Sequence, residues 1–311
     1  MQIFWQKLWK QKKSDSVSKT LTTGPAFFRQ GLFFFVNFVC HIRNINKRMQ
    51  ELKIAAVQAC TIWEDPAGNR EALAKMLSDI PEGTLVLLPE FFTAGFSIHN
   101  IRIVETARDR TLKWMMEMAF QKNITIGGSF LVMDNGRIYN RAYYTNTQGV
   151  LGYYNKRHLF SLGGENETIS PGHESKTLEV NGFQIQPLIC YDLRFPVWSR
   201  NRKMNDSFLY DILVYHANWP DPRTYPWRQL LIARAIENQC YVIGINRCGT
   251  DNEGMVYSAP TMVIDYKGKI IAEMPSGQEG VLRASLEMEA LNLFRRKFNV
   301  SADWDDFQIR K

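Results

Sequence analysis

The chain has 311 residues, of which 45% are hydrophobic and 22% charged, a composition typical of a folded globular protein with a sizeable core. Its formal net charge is +7, but nine of the 38 lysines and arginines and only one of the 31 acidic residues lie in residues 1–48. The rest of the chain has 38 − 9 = 29 basic and 31 − 1 = 30 acidic residues, so it lacks the basic surface that nucleic-acid binding requires.

Residues 1–48 differ in character from the rest of the chain. They combine basic residues with the aromatic run GLFFFVNFVCHI at 31–42, which is shorter than the ~20 apolar residues needed to span a bilayer. Three interpretations are open: a membrane-surface anchor, an unusual targeting segment, or translation that begins at Met49. We favour the start at Met49, because a clean strand pattern follows it at once, and we expect poor order in residues 1–48. We expect residues 49–311 to form one domain.

The first half of this domain alternates strand-like and helix-like segments, which is typical of an α/β fold. The segment TLVLLPE has the continuous apolar character of a buried strand and ends at an acid. Pro66 lies near the start of the first predicted helix, a position that proline favours. The predicted strands are 52–59, 84–90, 124–130, 137–146 and 150–156, and the predicted helices are 66–80 and 109–122.

The second half continues with two hairpins, two further strands and one helix. Asn181-Gly182 lies between the two strands of 177–190, and this dipeptide is a strong signal for a tight hairpin turn. A second hairpin, 261–274, is expected to turn at Lys267-Gly268. Between the hairpins lie the predicted strands 212–220 and 240–247 and the predicted helix 226–239.

Three chemically reactive side chains each follow an apolar strand pattern. Glu90 ends LVLLPE, Lys156 follows VLGYYN, and Cys190 ends QPLIC. Functional side chains collect at strand ends in sheet-based enzymes, because the backbone ladder ends there without complete burial of the side chain. If neighbouring strands bring these ends together, a carboxylate, an ammonium and a thiol share one pocket.

Such a set of groups fits the nucleophilic hydrolysis of an amide. In this interpretation Glu90 takes the proton of the Cys190 thiol, and the thiolate attacks a carbonyl carbon. Lys156 and a backbone N–H such as that of Tyr191 stabilise the oxyanion, and loss of one such donor raises the barrier by roughly 3 kcal/mol. Ammonia leaves, a thioester remains, and water activated by Glu90 then releases the acid.

Ordinary structural roles account for the same residues when each is taken alone. A cysteine at the end of an apolar run is most often a small buried hydrophobe, while Glu90 fits a helix cap and Lys156 a solvated surface. Arg234 and Glu237, three residues apart on the predicted helix, are expected to form a structural ion pair. The remaining cysteines have no zinc-binding spacing, and we expect them to be buried and reduced in a reducing compartment, the cytoplasm. These cysteines are Cys40, Cys60, Cys240 and Cys248.

The blocks LLPEFFTAGF, YNKRHLF and LICYDLRFPVWSR together resemble the three motif blocks of the nitrilase, or carbon–nitrogen hydrolase, superfamily. The resemblance runs from about Lys53 to about Phe307, and three blocks in the right order are far more specific than one. Further strings resemble the omega-amidase branch of that superfamily. They are YDLRFPVWSRN, ANWP, ARAIENQ, NRCGTD and EALNLFRRKFNVSADWDDF.

This resemblance implies a four-layer αββα sandwich whose protomers assemble as a homodimer or a higher homo-oligomer. It also implies a general base at Glu90, an oxyanion-stabilising ammonium at Lys156 and a nucleophile at Cys190. A second acid that supports the lysine matches Glu165 in GGENETISPG, with Glu167 as the second choice. The resemblance implies no metal and no organic cofactor.

The activity implied is that of an omega-amidase. Such an enzyme uses water to hydrolyse the terminal amide of small α-keto acid ω-amides, such as 2-oxoglutaramate and 2-oxosuccinamate, to the dicarboxylate and ammonia. The same chemistry acting on an N-carbamoyl amine, an aliphatic amide or a nitrile is the first alternative. A non-catalytic binding module is the second, and the complete set of Glu90, Lys156 and Cys190 argues against it.

Four residues near the strand ends are candidates for substrate binding: Tyr191, Arg194, Asn218 and Trp219. The guanidinium of Arg194 suits a carboxylate, but we favour a structural ion pair with Asp192 that shapes the turn behind the nucleophile. Tyr191 is expected to contribute its backbone. Asn218 and Trp219 are expected to form a wall of the pocket, although Trp219 fits the core equally well.

Overall fold

The computed structural model describes residues 51–106, 109–204 and 207–309. The N-terminal segment 1–48, the domain boundary at Met49 and the thiol of Cys40 lie outside these ranges, so the expectations for them stay predictions. Within the three described ranges, no helix is both long enough and apolar enough to cross a bilayer.

The described residues form seventeen strands and five α-helices. The strands are β1 (Glu51–Gln58), β2 (Leu85–Leu87), β3 (Glu105–Thr106), β4 (Thr125–Asp134), β5 (Arg137–Asn146), β6 (Gly149–Asn155), β7 (Leu178–Val180), β8 (Phe183–Ile189), β9 (Lys203–Met204), β10 (Ser207–Phe208), β11 (Ile212–Ala217), β12 (Tyr241–Asn246), β13 (Gly249–Thr250), β14 (Val256–Tyr257), β15 (Met262–Ile264), β16 (Ile270–Glu273) and β17 (Gly280–Glu287). The helices are α1 (Pro66–Met76), α2 (Arg110–Lys122), α3 (Glu165–Thr168), α4 (Thr224–Asn238) and α5 (Met288–Lys297).

Two sheets contain most of these strands. The seven-stranded sheet has the order β17-β1-β2-β4-β5-β6, with β3 paired to β4, and the six-stranded sheet has the order β16-β15-β12-β11-β8-β7. Neighbours β1, β2 and β4 are parallel in the first sheet, as are β8, β11 and β12 in the second. Such inner parallel strands are buried on both faces, which explains their continuous apolar sequences.

The two sheets pack face to face, with helices on both outer faces. Alternate side chains of β1 show the layering, because Leu52 and Ile54 enter the core between the sheets while Val57 enters the core beneath helices α1 and α2. On the other side, Trp227 and Leu231 of α4 lie against β12. The layers are therefore helix, sheet, sheet, helix, which confirms the predicted αββα sandwich.

The long predicted strands and helices agree with this architecture. Two elements at the end of the chain were not predicted, and neither were the short elements β3, β9, β10, β13, β14 and α3. Asn181 and Gly182 both have positive φ, of 48° and 80°, as the predicted tight turn between β7 and β8 requires. Helix α1 ends at Met76, four residues before the predicted limit. Strand β17 and helix α5 were absent from the predicted elements, because β17 is a mixed polar and apolar edge strand that closes on β1.

Candidate active site

The predicted acid and base groups meet in one buried cluster. Lys156 Nζ lies 2.8 Å from Glu90 Oε1, and it also lies 2.9 Å from Glu165 Oε1 and 2.8 Å from Glu165 Oε2. All three side chains are at most 1% exposed. This burial excludes the solvated surface role considered for Lys156. The cap role considered for Glu90 is wrong as well, because none of the described α-helices begins or ends at Glu90.

The ends of three strands bring this cluster beside the thiol. Glu90 follows β2 and Lys156 follows β6, and these two strands run in the same direction because β5 is antiparallel to both β4 and β6. Cys190 follows β8, which belongs to the other sheet. The site therefore lies where the carboxyl ends of strands from both sheets adjoin.

Asn140 of β5 completes the hydrogen bonding of the cluster. Its Nδ2 donates to Glu90 Oε1 at 2.8 Å and to Glu165 Oε1 at 3.5 Å. Its backbone carbonyl accepts from the backbone N–H of Lys156 at 2.9 Å. Sequence reasoning missed this residue. The available signal was its place on the same strand face as Ala142 and Tyr144, which lie in the apolar core between the sheets.

Backbone N–H groups hold the outer oxygens of both carboxylates. Glu90 Oε2 accepts from the N–H of Asn218 at 2.9 Å, and Glu165 Oε2 accepts from the N–H of Phe160 at 2.6 Å. Glu165 is the first residue of the short helix α3, where it is fully buried, whereas Glu167 is exposed. The geometry thus separates the two acids considered for the position beside Lys156.

The backbone of Cys190 has a conformation that residues other than glycine rarely adopt. Its φ is +42°, and it begins the 3₁₀ turn Cys190–Arg194 immediately after β8. Left-handed φ values in residues other than glycine and asparagine are uncommon and concentrate at functional sites. The Sγ lies 3.8 Å from the carbonyl oxygen of Asn218, a contact too long to hold the thiol strongly.

The charges around the thiol keep it protonated in the resting site. Burial raises the pKa of Cys190 well above its ordinary value, the negative charges of Glu90 and Glu165 raise it further, and Lys156 opposes them. Burial disfavours the ammonium of Lys156, but the carboxylates of Glu165 and Glu90 outweigh that penalty and raise its pKa overall. Burial also raises the pKa of Glu165, against the opposing charge of Lys156. A thiolate at Cys190 therefore needs a base close by.

Asp192 does not pair with Arg194, which corrects the favoured expectation for Arg194. The Asp192 carboxylate accepts from the hydroxyl of Tyr154 at 2.8 Å and from the backbone N–H of Ile189 at 3.0 Å. It also contacts His158 twice, through the backbone N–H at 3.0 Å and through Nδ1 at 2.8 Å. Asp192 thus fixes the turn behind the nucleophile through partners from the β6 end, and Arg194 is left for another role.

All four predicted substrate-binding residues line the pocket that holds Cys190 and Lys156. They are Tyr191, Arg194, Asn218 and Trp219, and they are joined there by Phe96, Phe160, Pro220 and Arg223. The two side-chain amide atoms of Asn218 are buried and have no hydrogen-bond partner within the described residues. Trp219 is 2% exposed and packs on Trp227 with ring centroids 5.3 Å apart, so it belongs to the core and to the pocket wall together.

Two guanidinium groups in this pocket rest on aromatic rings. Arg194 Cζ lies 4.9 Å from the ring centroid of Trp219, and Arg223 Cζ lies 5.2 Å from that of Phe160. Among the described residues, neither guanidinium is within salt-bridge distance of a carboxylate. Sequence reasoning missed Arg223, and its only signal was its position three residues after the ANWP string.

The remaining cysteines and the predicted ion pair are placed as follows. Cys240 and Cys248 are buried as expected, whereas Cys60 is exposed, which corrects the expectation that it is a core residue. Arg234 and Glu237 form the predicted ion pair at 3.0 Å.

Over the described ranges, no group of three or more His, Cys, Asp and Glu side chains is arranged to hold a metal ion.

Comparisons with known proteins agree with this geometry. Residues 53–296 match the sequence profile of the carbon-nitrogen hydrolase family. The chain is 40% identical over 261 residues to the omega-amidase YafV of Escherichia coli K12, covering 84% of this chain and 100% of that protein. It is 35% identical over 210 residues to the 2-oxoglutaramate amidase of Bacillus subtilis, covering 66% of this chain and 78% of that protein.

A solved structure is similar over the same region. The CN-hydrolase superfamily protein XC1258 of Xanthomonas campestris, which carries an arsenic adduct in its active site, is 38% identical to this chain and superposes with a TM-score of 0.82. That match covers 84% of this chain and 100% of the solved chain.

Proposed function

This chain belongs to the carbon–nitrogen hydrolase family, and from that membership we propose that it is an omega-amidase acting on small α-keto acid ω-amides. The proposed substrates are 2-oxoglutaramate and 2-oxosuccinamate, and the products are the dicarboxylate and ammonia. One observation carries the proposal: the pocket of the Cys190 thiol also contains two guanidinium groups with no carboxylate partner among the described residues. An ω-amide of an α-keto acid presents an amide at one end and a carboxylate at the other.

The first step forms a thioester. Glu90 accepts the proton of the Cys190 thiol, and the thiolate adds to the amide carbon to give a tetrahedral intermediate. The Lys156 ammonium and the backbone N–H of Tyr191 donate to the new oxyanion, and each such donor contributes about 3 kcal/mol to catalysis. When the C–N bond breaks, the proton on Glu90 passes to the leaving nitrogen and ammonia departs.

The second step returns the enzyme to its resting state. Glu90 takes a proton from water, and the resulting hydroxide adds to the thioester carbon. Lys156 again faces the oxyanion, and collapse of the intermediate breaks the C–S bond. The thiolate of Cys190 recovers a proton from Glu90, and the free carboxylic acid leaves and loses its own proton to water.

Glu165 and Asn140 act as positioning residues in this scheme. Glu165 contacts the Lys156 ammonium through both carboxylate oxygens, so it holds that group in place while Glu90 exchanges its proton. Asn140 donates to Glu90 Oε1 and leaves Oε2 to accept from the N–H of Asn218. The carboxylate of Glu90 is therefore fixed relative to both Lys156 and the floor of the pocket.

Substrate selection follows from polar groups of the pocket that have no ion-pair or side-chain hydrogen-bond partner in the part of the chain that the structure describes. Arg194 and Arg223 are placed to bind the carboxylate of the substrate, because guanidinium groups match carboxylates in charge and in hydrogen-bonding geometry. The free amide of Asn218 is placed to bind the keto oxygen or the amide end. A neutral amide, an N-carbamoyl amine or a nitrile leaves the two cations without an anion.

A panel of substrates tests the proposal directly. We expect ammonia release from 2-oxoglutaramate and 2-oxosuccinamate, and much slower release from an aliphatic amide and an N-carbamoyl amine. Mass spectrometry of a rapidly quenched reaction is expected to show an acyl adduct on the peptide that contains Cys190. Inert keto-acid amides beside rapid turnover of a carbamoyl compound would exclude the omega-amidase assignment and leave the family membership intact.

The domain limits, assembly and location follow from the same assignment. We propose that residues 49–311 are the carbon–nitrogen hydrolase domain and that residues 1–48 are an extension outside it. The family match at 53–296, which lies inside these limits, supports this. The domain forms a homodimer or a higher homo-oligomer, and it works in the reducing environment of the cytoplasm. Light scattering coupled to size exclusion tests the assembly, and a single protomer mass would contradict it.

A further inference from the structure

Two thiols that are far apart in the sequence are in contact in the folded protein. Cys60 Sγ and Cys248 Sγ are 2.6 Å apart, although the residues are separated by 188 positions. Cys60 follows β1 of the seven-stranded sheet, and Cys248 follows β12 of the six-stranded sheet. The backbone N–H of Cys248 donates to the carbonyl of Ala59 at 3.0 Å, so the main chain itself holds the two cysteines side by side.

The two thiols differ in their access to solvent. Cys60 is exposed, whereas Cys248 is buried. The backbone N–H of Cys60 donates to Glu279 at 2.8 Å, which fixes the position of the exposed cysteine. A small oxidant therefore meets Cys60 first, with the sulfur of Cys248 already in contact behind it. Redox-sensing cysteines are solvent-accessible and often lie next to a second, resolving cysteine, and this pair has both of these features.

The neighbouring residue supplies a positive charge. The guanidinium of Arg247 is buried, donates to the carbonyls of Cys248 at 3.2 Å and Thr61 at 3.0 Å, and leaves Nη1 without a partner within the described residues. Burial, the adjacent sulfur of Cys60 and the carboxylate of Glu279 raise the pKa of Cys248, and the charge of Arg247 offsets only part of that rise. Among the charges near Cys248, Arg247 therefore favours the reactive thiolate and Glu279 disfavours it.

We propose that Cys60 and Cys248 form a modification site at which hydrogen peroxide creates an intramolecular disulfide. The sulfur of Cys60 attacks one peroxide oxygen, the O–O bond breaks, and the other oxygen leaves as water. The sulfur of Cys248 then attacks the sulfenic acid at Cys60, the S–O bond breaks, and a second water leaves. Two thiols and one hydrogen peroxide thus give one disulfide and two waters, with sulfur oxidised and oxygen reduced.

The pair is separate from the catalytic thiol. Cys190 follows β8 and faces Lys156 and Asn218, and Cys240 is buried with its sulfur 3.9 Å from the carbonyl of Arg234. Among the described cysteines, Cys60 and Cys248 are the two whose sulfur atoms are in contact. Peroxide is therefore expected to oxidise Cys190 without a neighbouring thiol from the part of the chain that the structure describes, whereas Cys60 and Cys248 form a disulfide.

Peroxide treatment of the full-length protein tests this proposal. The Cys190→Ala variant removes oxidation of the nucleophile, and peroxide is followed by alkylation under denaturing conditions and intact mass measurement. We expect loss of about 2 Da with two fewer alkyl groups, and a cross-linked peptide that joins Cys60 to Cys248. Dithiothreitol is expected to restore the original mass. Oxygen addition at Cys60 with Cys248 still alkylated, or a disulfide between two chains, would overturn the proposal.

Matched variants locate the reaction in this pair. Cys60→Ser and Cys248→Ser, each in the Cys190→Ala background, are expected to abolish the loss of mass, while Cys240→Ser in the same background is expected to retain it. If a serine variant fails to fold, alkylation of Cys60 in the folded Cys190→Ala protein before peroxide gives the same comparison. A disulfide that still forms after Cys60 has been blocked would also contradict the assignment.

Discussion

The ammonium of Lys156 lies 2.8 Å from the carboxylate of Glu90, although the two residues are 66 positions apart in the chain. Glu165 takes the other side of the same ammonium, so one buried cation faces two buried carboxylates. This cluster carries an excess negative charge next to a thiol. The arrangement suits a site in which the nucleophile is activated at the moment of reaction rather than stored as a thiolate.

Replacement of the nucleophile is expected to remove hydrolysis. In Cys190→Ala, ammonia release from 2-oxoglutaramate should fall by at least about 10³-fold, because no thioester can form. The acyl adduct on the Cys190 peptide should disappear as well. Cys240→Ala, which alters a buried cysteine outside the pocket, serves as the control and should keep kcat within about 3-fold of the parent. Native turnover in Cys190→Ala would disprove the thioester mechanism.

Neutralising the second acid is expected to weaken catalysis while leaving substrate binding largely unchanged. In Glu165→Gln, the Lys156 ammonium loses one of its two charged partners, and kcat should fall by about 10- to 100-fold with little change in KM. Removal of a charge from a buried ion cluster should also lower the thermal midpoint. Glu167→Gln changes the exposed acid of the same short helix and should behave as the parent. Equal losses in the two variants would argue against a special role for Glu165.

The two arginines of the pocket are expected to set substrate preference. Arg194→Met and Arg223→Met should each lower kcat/KM for 2-oxoglutaramate by about 10- to 100-fold, since a charge-assisted hydrogen bond to the carboxylate is lost. The slow hydrolysis of a neutral aliphatic amide should change by no more than about 3-fold. Arg283→Met, at a surface ion pair with Asp79, is the matched control. Equal losses on both substrates would mean that the arginines support the pocket structurally and do not read the carboxylate.

His216 is expected to make the protein less stable as the pH falls. Burial lowers the pKa of His216 from 6.5 to about 4, and its ring nitrogens contact Tyr144 at 2.8 Å and the carbonyl of Leu88 at 2.6 Å. Below pH 6.5 the His216 imidazole is protonated in the unfolded chain but stays neutral in the folded protein. The free energy of unfolding therefore decreases as the pH falls, until the pH reaches the pKa of about 4 in the folded protein. The expected loss from this residue is about 3 kcal/mol by pH 4.

Denaturant unfolding at neutral pH and near pH 5 measures this effect. His216→Gln lowers stability at every pH, because it alters a buried hydrogen-bonded site, but it should show a shallower decline with acidity than the parent. The difference between the two pH slopes is the quantity to compare, since the carboxylates of the protein titrate in both variants. Parallel slopes would exclude His216 as the titrating group.

The sequence was informative where local chemistry determines local structure. Asn181-Gly182 predicted its turn because few other dipeptides accept two successive positive φ values, and the apolar strand patterns placed Glu90, Lys156 and Cys190 at strand ends. The prediction that these strand ends come together depended on the resemblance to a known family, because hydrophobic periodicity does not determine strand order.

Two failures of the sequence-based expectations concern partners contributed by distant segments. Asp192 was paired with Arg194 because they are two residues apart, yet its donors include Tyr154 of β6 and His158, which follows that strand. Asn140 was missed because a polar residue within a strand gains meaning only when Glu90 and Glu165 are known to face it. Pairwise chemistry of this kind is set by tertiary packing, which a single sequence does not reveal.

Because the site draws Glu90, Lys156 and Glu165 from segments next to one sheet and Cys190 from the end of β8 in the other, neither half of the sandwich contains a working centre. During refolding, a species with only one sheet formed already has much of its secondary structure but has no means of hydrolysing an amide. Recovery of turnover therefore reports the docking of the two halves. It should lag behind recovery of the far-ultraviolet circular dichroism, which measures secondary structure, whenever docking is the slow step.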